Sequence, residues 1–138
     1  MAIADQVRAI LREGIPFLGH LGMLPQQVRE EGGYKIKGRI EAEREALVAD
    51  AHFLAEAGAF AVVLELITPL VAVEITSAIS IPTIGIGSGP DCDGQILVTN
   101  DLVGTFPWFK PRFVTPRAQS FRDIRKAVEE WLLSLGPG

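Results

Sequence analysis

The chain has 138 residues, room for one ordinary domain but not for two. With 48% hydrophobic and 22% charged residues it is globular in composition, far from the disordered class. A net charge of −4 argues against a nucleic-acid partner, which needs a clustered positive surface, and the single cysteine, Cys92, excludes an internal disulfide framework and gives no sign of an oxidising compartment.

The first segment, MAIADQVRAILREG, places Ile3, Val7, Ile10 and Leu11 at helical spacing and ends at Gly14. Its charges are spread throughout, so it reads as an amphipathic helix and not as a signal peptide. Residues 15–19 form a short apolar run that fits a buried strand. Residues 21–39 read as loop, with Pro25 and the Gly32-Gly33 pair and room for a short helix over 25–31. Residues 41–57 are rich in Ala, Glu and Leu and predict a strong helix closed by Gly58. FAVVLEL, at 60–66, is the continuous apolar run of a strand covered on both faces. Thr68-Pro69 can cap a helix over 70–78, and IPTIGI at 81–86 is another buried strand. A glycine-rich loop over 85–94 follows, then a short strand over 95–99 and a cap at Asn100-Asp101. The final amphipathic helix, 120–135, carries Phe121, Ile124, Val128, Trp131 and Leu132 on one face.

The longest apolar stretch, 57–73, is interrupted by Gly58, Glu65 and Pro69 and is too broken to span a bilayer. The cations Lys110, Arg112, Arg117, Arg122, Arg125 and Lys126 are interleaved with Pro and apolar residues, which reads as a solvated face or, less often, an anion or subunit contact. Strands alternating with helices predict right-handed βαβ units, a parallel sheet and an α/β fold class.

In such folds, ligands bind beyond the C-terminal ends of the strands. Three polar groups are expected at that end: His20, Glu65 and the loop Gly87-Ser88-Gly89-Pro90-Asp91-Cys92-Asp93-Gly94. Glu65 closes an apolar run, where lost solvation disfavours the charged carboxylate and moves it towards general-base duty. Spacing alone reads it equally well as a strand-end carboxylate facing solvent or a lysine. His20 by itself is more often a structural, hydrogen-bonded histidine, and His52, inside a helix, has no metal-ligand spacing to it. Asp91 and Asp93 are close enough to hold a divalent cation but more commonly cap turns. The glycines match neither a dinucleotide fingerprint nor a P-loop, so their role is to let backbone approach a ligand or a neighbouring loop. Cys92 has no adjacent base to activate it. The segment Gly32-Gly33-Tyr34-Lys35-Ile36-Lys37-Gly38-Arg39 is a lid or anion contact, or simply an exposed loop, the last favoured by spacing.

The segments GIPFLGHLGMLPQQV, EEGGYKIKGR, EAGAFAVVLELI, ITSAISIPTIGIGSGPDCDGQILVTNDLVG and PRFV together closely resemble the ketopantoate hydroxymethyltransferase family, in order and over nearly the whole chain. The resemblance implies a TIM (β/α)8 barrel, of which 1–138 would be a single partial domain, the C-terminal half. It implies transfer of a one-carbon unit from 5,10-methylenetetrahydrofolate to 3-methyl-2-oxobutanoate, in pantothenate and coenzyme A synthesis. It assigns the base to Glu65 and substrate contacts to His20, Gly87 and Ser88. It also implies Mg2+, with ligands expected in the missing N-terminal half and none in this chain.

A half ring of strands leaves open edges, so the resemblance leads one to expect a homo-oligomer or a complementing N-terminal half, little activity from the chain alone, and a cytoplasmic location with no membrane contact. The competing readings are a non-catalytic truncated barrel acting as a structural or assembly module, and a 2-oxo acid enzyme of the phosphoenolpyruvate mutase or isocitrate lyase type. The segments GYKIKGR and GPDCDGQ suit the second of these less well than ketopantoate formation.

Overall fold

A computed structural model describes residues 3–136. The described residues group into two compact units, one ending at Ile96 and one beginning at Leu97. No helix is long and apolar enough to cross a membrane among the described residues.

The first unit opens with α1 (Ala4–Arg12), whose Val7 is buried. The Arg8 guanidinium lies 5.2 Å from the ring centre of Phe53 in the second helix, a cation–π contact between the two. β1 (Leu18–Gly22) starts three residues later than the apolar run suggests, so His20 lies inside the strand and not past its end. Pro25–Gln27 is a single 3-10 turn where a longer helix was expected. α2 (Glu41–Ala57) has the expected bounds. Gly58 ends it at φ 102, and the Gly58 and Ala59 amides donate to the Ala55 and Leu54 carbonyls, the paired closure that a left-handed residue permits.

β2 (Ala61–Glu65), α3 (Pro69–Ala78), β3 (Thr83–Ile86) and β4 (Gly94–Gln95) complete the unit. Pro69 occupies the first helical position of α3, where its missing N–H costs nothing. The hydroxyl of Thr68 makes no cap; it donates instead to the Gly38 carbonyl at 3.1 Å. β4 is shorter than the expected strand at 95–99, since the chain turns into the second unit at Leu97.

All four strands are parallel, and the sheet order β1-β2-β3-β4 follows the chain. This winding advances in one direction, as in a (β/α)8 barrel; a doubly wound sheet reverses its order part-way. Gly19, Leu21, Val62 and Leu64 point to one side, against Ala51 and Leu54 of α2 and Ile75 of α3. A Cβ at Gly19 would lie 2.7 Å from the Leu54 side-chain end, so any larger residue there would force Leu54 to shift. Because strand side chains alternate, Leu18, His20, Val63, Glu65 and Ile84 point to the other side, and each is at least partly accessible. Arg44 binds α2 to α3 through two hydrogen bonds to Glu74, at 2.7 and 2.6 Å.

The second unit contains the short α4 (Thr99–Leu102) and α5 (Ser120–Ser134). The amides of Arg117, Ser120 and Phe121 donate to the carbonyls of Leu102, Val103 and Gly104, so the start of α5 is tied to the end of α4 by main chain. Ile124, Val128, Trp131 and Leu132 of α5 are all exposed.

Candidate functional site

Glu65 is the last residue of β2, and it is 15% exposed. In β1, His20 lies opposite Val63, so it meets Glu65 along the diagonal on the same face. His20 Nε2 stands 3.2 Å from Glu65 Oε2. That nitrogen is shielded from solvent and has no aligned hydrogen-bond acceptor, so its approach to Glu65 is a close contact and not a formed hydrogen bond. The remainder of the His20 ring is accessible, with 34% of its side chain exposed.

The backbone around Glu65 is held from four directions. The Met23 amide donates to the Glu65 carbonyl at 2.8 Å. The Leu66 amide donates to Ile86 at 2.9 Å, and the Leu66 carbonyl accepts from Lys37 at 2.8 Å. Ser88 Oγ donates to the Leu64 carbonyl at 2.7 Å and accepts the Ile67 amide at 3.0 Å. Leu66 itself has φ 50, the one positive φ outside glycine among the described residues. A bulky residue tolerates this only where the surroundings over-determine it, and the hydrogen bonds from β1, β3 and the two loops do so. Gly22 lets β1 come close: a side chain there would lie 2.1 Å from the Glu65 carbonyl oxygen.

The structure brings His20, Glu65 and the start of the glycine-rich loop together and sends the rest of that loop elsewhere. Gly87 and Ser88 follow β3 directly, at the strand ends. The chain then runs back down, because β4 begins with Gly94 opposite Ile84. Asp93 therefore sits at the other end of the sheet, where its Oδ2 accepts the Thr83 amide at 2.8 Å and the Thr83 hydroxyl at 3.0 Å. These bonds hold the Asp93 carboxyl below its ordinary range. Of the two readings of the acidic pair, Asp93 realises the turn-capping one. Cys92 is buried, and that burial pushes its thiol up, the opposite of what a nucleophile needs.

The loop before α2 is not a free strip. Lys37 forms a parallel bridge with Ile67, and its ammonium is ion-paired with Glu31. Ser88 is 1% exposed, with its donor and one acceptor lone pair used inside the chain, so its side chain positions the loop against β2. Sequence reasoning missed Gly22, Met23 and Leu66 as supports of Glu65. The glycine in GHLG was the only available signal, and nothing local marks Leu66. Among the described residues no three His, Cys, Asp or Glu side chains converge as a metal-ligand cluster.

A singly wound parallel sheet, with a carboxylate at the end of one strand and an imidazole beside it on the next, defines an α/β module of barrel type. Residues 1–135 match the sequence profile of ketopantoate hydroxymethyltransferase, and the chain belongs to that family. It is 49% identical over 130 residues to the 3-methyl-2-oxobutanoate hydroxymethyltransferase of Moorella thermoacetica, covering 94% of this chain and 48% of that protein. The protein of the same name from Clostridium botulinum is 45% identical over 137 residues, covering 99% of this chain and 50% of its own length. The one from Chlorobium phaeobacteroides is 49% identical over 130 residues, covering 94% and 47%. The chain thus spans about half the length of the curated relatives it matches.

Proposed function

We propose that this chain carries the proton-abstracting half of a hydroxymethyl transfer to 3-methyl-2-oxobutanoate, with Glu65 as the base. The observation that carries this reading is the position of Glu65 on the accessible face, at the C-terminal end of β2, in contact with His20. A carboxylate held there by a fixed backbone is placed to take the C3 proton of a bound 2-oxo acid. The electron pair moves into the C2 carbonyl to give an enolate. The enolate carbon then forms a bond to the one-carbon unit of 5,10-methylenetetrahydrofolate. One water is consumed overall, and ketopantoate and tetrahydrofolate leave.

In this reading His20 lines the substrate's position beside Glu65, Gly87 contributes its backbone, and Ser88 contributes main chain while its hydroxyl holds the loop. Magnesium ligation and the remaining substrate contacts belong to polypeptide beyond these 138 residues. The chain alone should therefore turn over little or no substrate, and its working state is a complex with a complementing half or an oligomer.

The test is deuterium exchange at C3 of 3-methyl-2-oxobutanoate, followed by NMR, together with the full transfer assay. The chain is combined with the N-terminal half of the Moorella relative. Exchange should need both halves, and Glu65→Gln should slow it by roughly 10²-fold or more. Unchanged exchange in the Glu65→Gln complex removes Glu65 from the mechanism. Family-like turnover by the isolated chain removes the need for a second half.

A further inference from the structure

The net charge of −4 is unevenly distributed. Residues 1–96 carry seven Lys and Arg against thirteen Asp and Glu, whereas residues 97–138 carry six against four. Within the second unit, Arg125 and Lys126 pair with Glu129 and Glu130 along α5, at 3.5 and 3.7 Å. Lys110 and Arg122 make no side-chain hydrogen bond or ion pair among the described residues. Both line a cavity of about 520 Å³ formed entirely inside this unit. Its apolar walls include Phe106, Phe109 and Phe121, with prolines between them, and its one acidic side chain is Asp101.

This is the composition of a ligand site: a few hundred cubic ångströms, flat aromatic walls and a small number of charged groups. The rings offer faces and edges to a planar π-system. The two unpaired cations outnumber the carboxylate and select an anion. The cavity lies apart in sequence from every residue assigned to proton abstraction. We propose that it binds a planar aromatic ring that carries a carboxylate, directly or on a short side chain, with the ring between the phenylalanines and the carboxylate at Lys110 and Arg122. Resting on the function proposed above, the natural ligand is the aminobenzoyl-glutamate portion of the one-carbon donor.

Trp108 provides the readout. Its ring centre is 5.5 Å from that of Phe106 and 6.4 Å from that of Phe121, so it touches two walls of the cavity. The second tryptophan, Trp131, is exposed on α5 and is removed by Trp131→Phe, which leaves Trp108 as the sole reporter. p-Aminobenzoyl-L-glutamate, benzoate and the neutral benzamide are titrated into this variant. The expected result is a saturable change in Trp108 emission with p-aminobenzoyl-L-glutamate that weakens with added salt and is absent with benzamide. The Lys110→Ala/Arg122→Ala double variant should lose roughly tenfold in affinity.

Benzoate binding as tightly as p-aminobenzoyl-L-glutamate keeps the aromatic-carboxylate site and overturns its link to the folate. No saturable change, or equal binding by benzamide or by the double variant, overturns the site itself. Glu65→Gln should leave binding intact, so failure here and failure of the proton-abstraction reading are told apart.

Discussion

His20 and Glu65 meet across two neighbouring strands, Nε2 to Oε2 at 3.2 Å, although His20 is in register with Val63 and not with Glu65. The diagonal matters because it puts the imidazole on the same accessible face as the carboxylate and leaves 34% of its side chain exposed there. Groups that act together lose little more when both are removed than when one is. His20→Ala should therefore lower kcat of the reconstituted enzyme by roughly 10- to 100-fold. The His20→Ala/Glu65→Gln double variant should fall hardly below Glu65→Gln alone. Losses that multiply would show that the two act independently.

Glu65 depends on backbone that is not its own. Gly22 has φ 99 and lies where any side chain would strike the Glu65 carbonyl oxygen and Ile67. Gly22→Ala should push the end of β1 away from β2 and break the bond from the Met23 amide to Glu65. Activity should fall steeply, and thermal unfolding should show a stability loss of about 1–3 kcal/mol. Activity and stability both equal to wild type would mean that the two strand ends do not need this approach.

The broad plan of the first unit was legible because its signals are local. A 17-residue helix ended by Gly58, and an apolar run closed by Glu65, need no distant partner to be recognised. What escaped depends on pairing between segments. The apolar residues 15–17 look like strand, but register with Ala61 begins only at Leu18. The glycine-rich loop looked like one ligand-facing feature; pairing of Gly94 with Ile84 sends its acidic half to the opposite end of the sheet. Leu66 at positive φ has no sequence mark, since the bonds that enforce it come from Lys37 and Ile86. The apolar face of α5 is plain from periodicity, which is local, and it stands exposed among the described residues.

The resemblance implies a substrate contact for Ser88, and its hydroxyl also donates to the Leu64 carbonyl and accepts the Ile67 amide. Ser88→Ala removes the only acceptor seen for the buried Ile67 amide, which should cost about 1–3 kcal/mol. Ser88→Thr, which keeps the hydroxyl, should lose less if the loop accommodates the methyl. Chemical denaturation of both variants measures this directly. A Ser88→Ala protein as stable as wild type, with reduced activity, would return Ser88 to a substrate-binding role.

The accessible face of the sheet carries Leu18, Val63 and Ile84 around the His20–Glu65 pair, and Leu18 is 43% exposed. The outer edge of β1 has no strand partner among the described residues. Unpaired parallel edges next to apolar surface favour association. Sedimentation of the isolated chain at micromolar concentration should show species larger than the 14.9 kDa monomer. Leu18→Lys should shift the distribution towards monomer by placing charge on that face, and a wild-type sample that stays monomeric would show that the face is tolerated in water.

Asp93 supplies a pH dependence whose sign follows from its environment. The Thr83 amide and hydroxyl favour the ionised carboxylate, so its folded value lies below the ordinary 3.8. A depressed carboxyl contributes stability that is fully present above the unfolded value and is lost as pH falls through the lower folded one. The wild type should therefore be more stable than Asp93→Ala at neutral pH, and the gap should stay level down to about pH 5. Below 3.8 the gap should narrow, as protonation removes the advantage of the charged acceptor. The side chain is largely exposed, so solvent screening keeps the effect small, and melting temperatures at matched ionic strength are the suitable measurement. A gap that widens on acidification would mean that the bonds to Thr83 favour the protonated acid, and that Asp93 closes the turn as a donor and not as the charged acceptor described above.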